Sequence, residues 1–326
     1  MNLPQTKNDE WVHQVSMPQT AKERFIALVS NLDFNPYELL AGTEQGQSNT
    51  ALYAKVAQLL EEAWPEARQT LGLIEDKDSP VHLVVIKNAP VDTNLNDIPT
   101  PNNGVRPSSK SFVTEYMMVA VAGLINGYLR APSTETFPFN LPIHQVAPQE
   151  GFEAEEATNR GVGNFPFHND RVFIEHELID YHMLYGLRTG ANPTTTNFLR
   201  VADLLKGMDT KLLHPLLEKN YKNPNSEVRV AALHGKLDDL EHITSSVDLH
   251  EGWMQPVSVE AEQALAQLKQ QAVRTDVASQ AVNILLEEGT IVLSNHKKLL
   301  HGRGSFKAGN IGERRWLQRA HLCKAN

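Results

Sequence analysis

Hydrophobic positions fall into two textures along the chain. Up to about residue 130 they recur at helical spacing. Phe25, Leu28, Val29 and Leu32 follow Thr20 and Glu23, a pair that predicts a capping box at a helix start. A second helix is predicted from about Asn49, with Leu52, Val56, Leu59, Leu60 and Ala63 on one face. The β-branched run at 82–87 reads as a buried strand and 89–110, rich in Pro, Asn, Ser and Asp, as a loop. Residues 111–129 carry Phe112, Val113, Met117, Ala120, Val121 and Leu124, a third helix. From 142 onward the texture changes to short apolar or aromatic runs at 143–147, 165–170, 181–188, 194–201, 228–233, 290–295 and 315–322, separated by Pro, Gly and Asn. Such punctuation predicts short strands of a β-sandwich, jelly roll or barrel. Helices at about 201–219 and 258–273 interrupt them, so the expected class is α+β: a β-core wrapped by helices, with 1–326 as one domain.

Composition narrows the function. The single cysteine, Cys323, excludes an internal disulfide framework and any Cys-rich zinc module. The longest uncharged apolar run, Tyr116 to Ile125, is far short of the ~20 residues that span a bilayer. The N-terminus shows no basic region followed by an apolar core, and a cytoplasmic location is expected. A formal net charge of −9 lacks the basic footprint of nucleic-acid binding, so the expected partner is a small molecule. Oligomeric state leaves no mark in the sequence.

The strongest local signal is Phe167-His168-Asn169-Asp170 within an apolar run. On a strand, residues two apart share a face, so His168 and Asp170 point together while Asn169 points away. An imidazole and a carboxylate so placed can take adjacent positions on a metal. A distant second histidine would complete a 2-His-1-carboxylate facial triad with an open side. His301, followed by Gly302 and Arg303, is the candidate. Arg315 comes fourteen residues later in a segment that alternates like a strand, with Arg319 at matching parity. Each guanidinium is suited to a carboxylate through two parallel hydrogen bonds.

Together, His168-x-Asp170, His301-Gly-Arg-x-x-Phe306 and Arg315-Trp-Leu-Gln-Arg319 resemble the clavaminate synthase-like iron(II)/2-oxoglutarate dioxygenases, a branch that includes hydroxylases of free arginine, asparagine and lysine. The motifs cover roughly residues 80–326 in order. The resemblance implies a double-stranded β-helix (jelly roll) core, with the helical residues 1–80 packed on it. It further implies His168, Asp170 and His301 as iron ligands, with 2-oxoglutarate and O2 as co-substrates. Arg315 would bind the distal carboxylate of 2-oxoglutarate, assisted by a threonine from the run Thr194-Thr195-Thr196, where Thr195 is favoured. Arg319 would hold the α-carboxylate of an amino-acid substrate. The segment Val247-Asp248-Leu249-His250-Glu251-Gly252-Trp253 resembles the family's lid, and Asp248, or else Glu251, would meet a cationic side chain such as that of lysine or arginine. Asp170 also contributes to substrate contact. It departs from the Glu most relatives carry, and its presence argues against a halogenase, in which a small residue replaces the carboxylate. The segment 140–145 would line the pocket.

The remaining histidines have plainer readings. His176 and His182 read as a turn residue and a core residue, and His144 and His296 as neighbours of the site that no spacing demands. Trp253 and Trp316 read as packing residues. A non-catalytic jelly-roll protein that binds a small ligand or a structural metal is the competing reading, and it predicts no 2-oxoglutarate turnover.

Overall fold

The computed structural model describes residues 10–37, 50–131, 141–173, 179–224 and 227–324. Two sheets are built from β1 (Val12–Ser16), β2 (Leu83–Lys87), β3 (Gly127–Arg130), β4 (Ile143–Val146), β5 (Phe165–His168), β6 (Tyr181–Arg188), β7 (Thr195–Arg200), β8 (Val282–Leu285), β9 (Ile291–Asn295), β10 (Leu299–Arg303) and β11 (Trp316–Lys324). The larger sheet runs β1-β2-β9-β6-β11-β3, with β4 also paired to β11. The smaller runs β8-β7-β10-β5. Among these pairings only β1–β2 is parallel. The longer helices are α1 (Gln19–Val29), α2 (Thr50–Ala63), α3 (Val113–Leu124) and α4 (Val259–Val273).

Strand alternation sorts these pieces into layers. On the large sheet, Val84 and Ile86 of β2, Met183 and Tyr185 of β6, and Trp316 and Ala320 of β11 pack against α1, α2 and α3. Their neighbours Leu83, Val85, Leu184 and Leu317 face the other way, where they meet Phe198, Ile284 and Leu299 of the small sheet. The outer face of the small sheet, with Leu199 and Leu300, is covered by α4 and the rest of the 201–280 insert. This mixed α+β architecture buries apolar residues on both faces of both sheets, which supplies most of the driving force for folding. Helix α3 is buried along nearly its whole length, and among the described residues no helix is long and apolar enough to cross a membrane.

Several boundaries differ from expectation. Helix α1 starts at Gln19 after Pro18 with no side-chain cap, so the Thr20–Glu23 capping box does not form; Glu23 instead accepts from the Gln19 amide. The third helix ends at Leu124 rather than 129. Asn126 takes a left-handed φ of 49° and turns the chain into β3. The helix expected over 201–219 breaks into Val201–Leu205, Thr210–Leu213 and a short 3₁₀ turn. Gly207 at φ 79° interrupts it, and Pro215 opens the last turn.

Candidate active site

Period-2 alternation also decides which polar side chains enter the space between the sheets. In β10, Leu299, His301 and Arg303 share the inward parity, while Leu300 faces the insert. Antiparallel pairing sets His301 directly opposite His168 at the end of β5. Asp170, two residues further, turns the same way. Asn169 points away, its amide donating to the carbonyls of His296 and Leu299 and its oxygen accepting from Ser245 and Val247. His168 Nε2 lies 3.6 Å from Asp170 Oδ1, and His301 Nε2 lies 3.8 Å from Oδ2.

The protonation states of Asp170 and His301 suit a cation. His168 Nδ1 donates to the Pro166 carbonyl at 2.8 Å, which leaves Nε2 as the ligating nitrogen. Burial works against a charged His168, but Asp170 outweighs it and raises the imidazole's pKa. Burial would also raise Asp170, yet Arg319 and the hydrogen bonds from His168 and His321 hold it well below the usual carboxylate range. Burial, with His168 and His182 beside it, lowers His301, which favours the neutral form a metal requires. Two nitrogens and one ionised oxygen at these separations fit a divalent ion such as iron(II).

One side of this cluster opens into a narrow cleft of about 50 Å³. Arg315 and Arg303 line it, and both are buried. Burial, reinforced by Arg303, lowers Arg315 to about 9, so the guanidinium stays cationic near neutrality. Among the described residues no carboxylate pairs with either arginine. Arg315 Nη2 donates to Thr196 Oγ1 at 3.3 Å. The favoured Thr195 is therefore corrected to Thr196. Thr195 has the outward parity of β7 and bonds Asn197 instead, at 2.8 Å.

Arg319 enters from β11 and lines the same cleft. Its Nη1 lies 3.6 Å from Asp170 Oδ1, and its Nη2 donates to His144 Nδ1 at 2.9 Å. Burial and Arg319 together lower His144, so a neutral imidazole accepts that bond. The Asn159 amide, with its oxygen toward the guanidinium, accepts from Nη1 at 2.9 Å. Asp248 stands beside His168. The 247–249 backbone extends the edge of β5, with Asn169 N donating to Val247 O at 2.6 Å and Leu249 N to Phe167 O at 3.2 Å. The Asp248 carboxylate accepts from His250 N at 2.9 Å and lies outside the lining of the cleft. Trp253 is half exposed and Glu251 is exposed.

The structure also gathers residues to which the sequence assigned no role at the site, together with His296, which it read as a neighbour. His182 of β6 and His321 of β11 are cross-strand partners, both facing Asp170. His296 Nε2 accepts from the Asp170 backbone N–H at 2.8 Å. His321 stands two residues beyond Arg319, and that parity was the available signal. Arg303 sat inside a quoted motif without a role, and Asn159 lies in a loop that carries no periodicity. His176 falls outside the described residues.

No family model matches the sequence. The L-asparagine oxygenase of Streptomyces coelicolor is 27% identical over 294 residues, covering 87% of this chain and 84% of that protein. The chain resembles the clavaminate synthase-like iron(II)/2-oxoglutarate oxygenases. Two solved structures share its fold. Asparagine oxygenase in complex with Fe(II), 2S,3S-3-hydroxyasparagine and succinate gives a TM-score of 0.75 at 22% identity, covering 95% of this chain and 93% of that one. The non-heme iron oxygenase OrfP with Fe and alpha-ketoglutaric acid gives 0.71 at 18% identity, covering 95% and 93%. In this chain the carboxylate of the candidate metal cluster is the short Asp170, reached by both Arg319 and His321.

Proposed function

We propose that the chain is an iron(II)- and 2-oxoglutarate-dependent oxygenase that hydroxylates an aliphatic carbon of a free L-amino acid within a double-stranded β-helix core. One observation carries the reading: His168, Asp170 and His301 converge beside Arg315, a buried guanidinium with no carboxylate partner among the described residues. A buried cation so placed calls for an anionic ligand. The relation to the S. coelicolor L-asparagine oxygenase supports the same activity.

Iron(II) held by His168, Asp170 and His301, with 2-oxoglutarate as co-substrate, supplies O2-dependent hydroxylation with release of succinate and CO2. The chain supplies the geometry. Arg315, with Thr196 and Arg303 beside it, binds the distal carboxylate of 2-oxoglutarate and fixes its orientation. Val146, Leu184 and Leu317 add apolar walls to the cleft. Arg319 takes the substrate α-carboxylate, and Asp170 lies within reach of its ammonium. The aliphatic carbons beyond Cα are thereby held at a fixed distance from the metal cluster, and that placement selects the carbon.

A cationic side chain, lysine or arginine, is supported by Asp248, whose carboxylate lies near His168. A neutral amide side chain is the second reading. It is supported by the relative's named substrate and by Asn159 beside Arg319, a group that can donate to and accept from an amide. Succinate release measured across the twenty amino acids, with iron(II), ascorbate and O2, tests both. One or a few amino acids are expected to raise succinate formation and to gain one oxygen atom. Absence of 2-oxoglutarate turnover with every amino acid would overturn the proposal, as would turnover equal for all of them.

A further inference from the structure

His182 is fully buried, and neither ring nitrogen makes a hydrogen bond among the described residues. Such an imidazole costs free energy unless something at the site satisfies it. It faces Asp170 Oδ2, with Nε2 at 3.6 Å. On the adjacent antiparallel strand His321 is its direct cross-strand partner, with Nε2 at 2.9 Å from the same oxygen. Both positions have the inward parity of their strands. Donors about 2.1 Å from one ion stand roughly 3.0–3.4 Å apart in octahedral or tetrahedral arrangements, close to both separations.

We infer that Asp170, His182 and His321 form a second divalent-cation site that overlaps the first through the shared carboxylate, so that one ion occupies either set but not both.

Exclusivity follows from charge. Asp170 is the one carboxylate common to both sets, and the Arg319 guanidinium already lies 3.6 Å from its Oδ1. Two dications on one carboxylate beside a third cation would repel strongly at this depth. The two sets also differ in what they offer. His168 and His301 line the cleft with Arg315 and His182 reaches it too, whereas His321 is absent from that lining. An ion held by the inner set therefore withdraws Asp170 from His168 and His301. A nitrogen-rich set with one carboxylate suits zinc(II) or cobalt(II).

Cobalt(II) binding to the full-length apoprotein, read by equilibrium dialysis and by the visible absorption of the bound ion, tests this without any turnover. The wild type is expected to bind one ion. His301→Ala, which breaks the outer set, should still bind one, with an altered spectrum and at most about tenfold weaker. Adding His182→Ala to that variant should weaken binding a further tenfold or more. If His301→Ala unfolds, His168→Gln serves the same purpose, since it too removes an outer ligand. The inference is overturned if outer-set variants bind no cobalt, if His182→Ala leaves their affinity unchanged, or if the wild type binds two ions. Failure of the oxygenase assay alone leaves these outcomes readable, because they depend only on metal binding.

Discussion

Arg315 and Thr196 meet across the two sheets, Nη2 to Oγ1 at 3.3 Å, where the proposed function seats the distal carboxylate of 2-oxoglutarate. Arg315→Met should raise the KM for 2-oxoglutarate by about 100-fold or more, the scale of losing a charged hydrogen-bond pair of roughly 3 kcal/mol. Thr196→Val should raise it roughly 5-fold, about 1 kcal/mol, and Thr195→Val should leave it near wild type. Initial rates of succinate formation at varied 2-oxoglutarate separate the three.

Asp170→Ala removes the one ionised oxygen of the metal cluster and leaves Arg319 facing only neutral groups. Hydroxylation should fall to background and iron(II) affinity by at least about tenfold, as an anionic ligand is lost. Full retained activity would reject the triad. Iron content after dialysis and product mass measure both effects.

Arg319→Ala should raise the amino-acid KM by about 100-fold while leaving 2-oxoglutarate binding near wild type, because in the proposed function the two guanidiniums bind different carboxylates. Uncoupled conversion of 2-oxoglutarate without amino acid should persist. A parallel rise in both KM values would mean that Arg319 acts through the fold instead.

Gly302 separates His301 from Arg303 where β10 crosses closest to β5. A Cβ there would stand 2.9 Å from the Phe165 carbonyl oxygen and 3.2 Å from the Phe167 nitrogen. Gly302→Ala should push the strands apart and separate His168 from His301. The expected cost is about 1–3 kcal/mol of stability, with weaker metal binding. Thermal unfolding and cobalt titration check it. An unchanged Tm would show that the strands accommodate the methyl.

Glu115 lies fully buried, 2.6 Å from Lys110 Nζ and 3.0 Å from Arg106 Nε, and it also accepts from Gln318 of β11 at 2.8 Å. Burial favours its neutral form, but Lys110 and then Arg106 outweigh burial and lower its pKa. A carboxylate lowered on folding stabilises the native state above its unfolded value, about 4.3, and that stability is lost as pH falls through the folded value. Glu115→Gln should therefore flatten the acid limb of the stability curve below about pH 4.3. Lys110 Nζ also lies 2.7 Å from the buried Asp92, so Lys110→Ala removes a cation shared by two buried carboxylates and should cost about 3–5 kcal/mol near neutrality. Urea unfolding between about pH 3 and 7 tests both.

Much of the site was legible because it is written in parity. His168 and Asp170 stand two apart and turn together, and Arg319 faces inward from a strand whose alternation is plain. Thr195 failed because three consecutive threonines carry no phase; only the observed register, with Phe198 in the inter-sheet core, sets Thr196 inward. His182 and His321 escaped because each alone resembles a core histidine, and only the β6–β11 pairing makes them partners. Helix existence was readable from spacing, whereas helix ends depended on single residues such as Asn126 and Gly207. Strand β1 escaped because it pairs in parallel with a strand far along the chain, and the short run 12–16 carries little pattern of its own.

The cluster draws its donors from strands that lie far apart in the order of synthesis. While a ribosome is still making the chain, His168 and Asp170 emerge well before His301, Arg315 and Arg319. An emerging chain thus offers an imidazole and a carboxylate without the rest of the cage. If iron binds as proposed, its specific loading would wait until β10 and β11 have joined their sheets, and metal selection would fall to the finished fold.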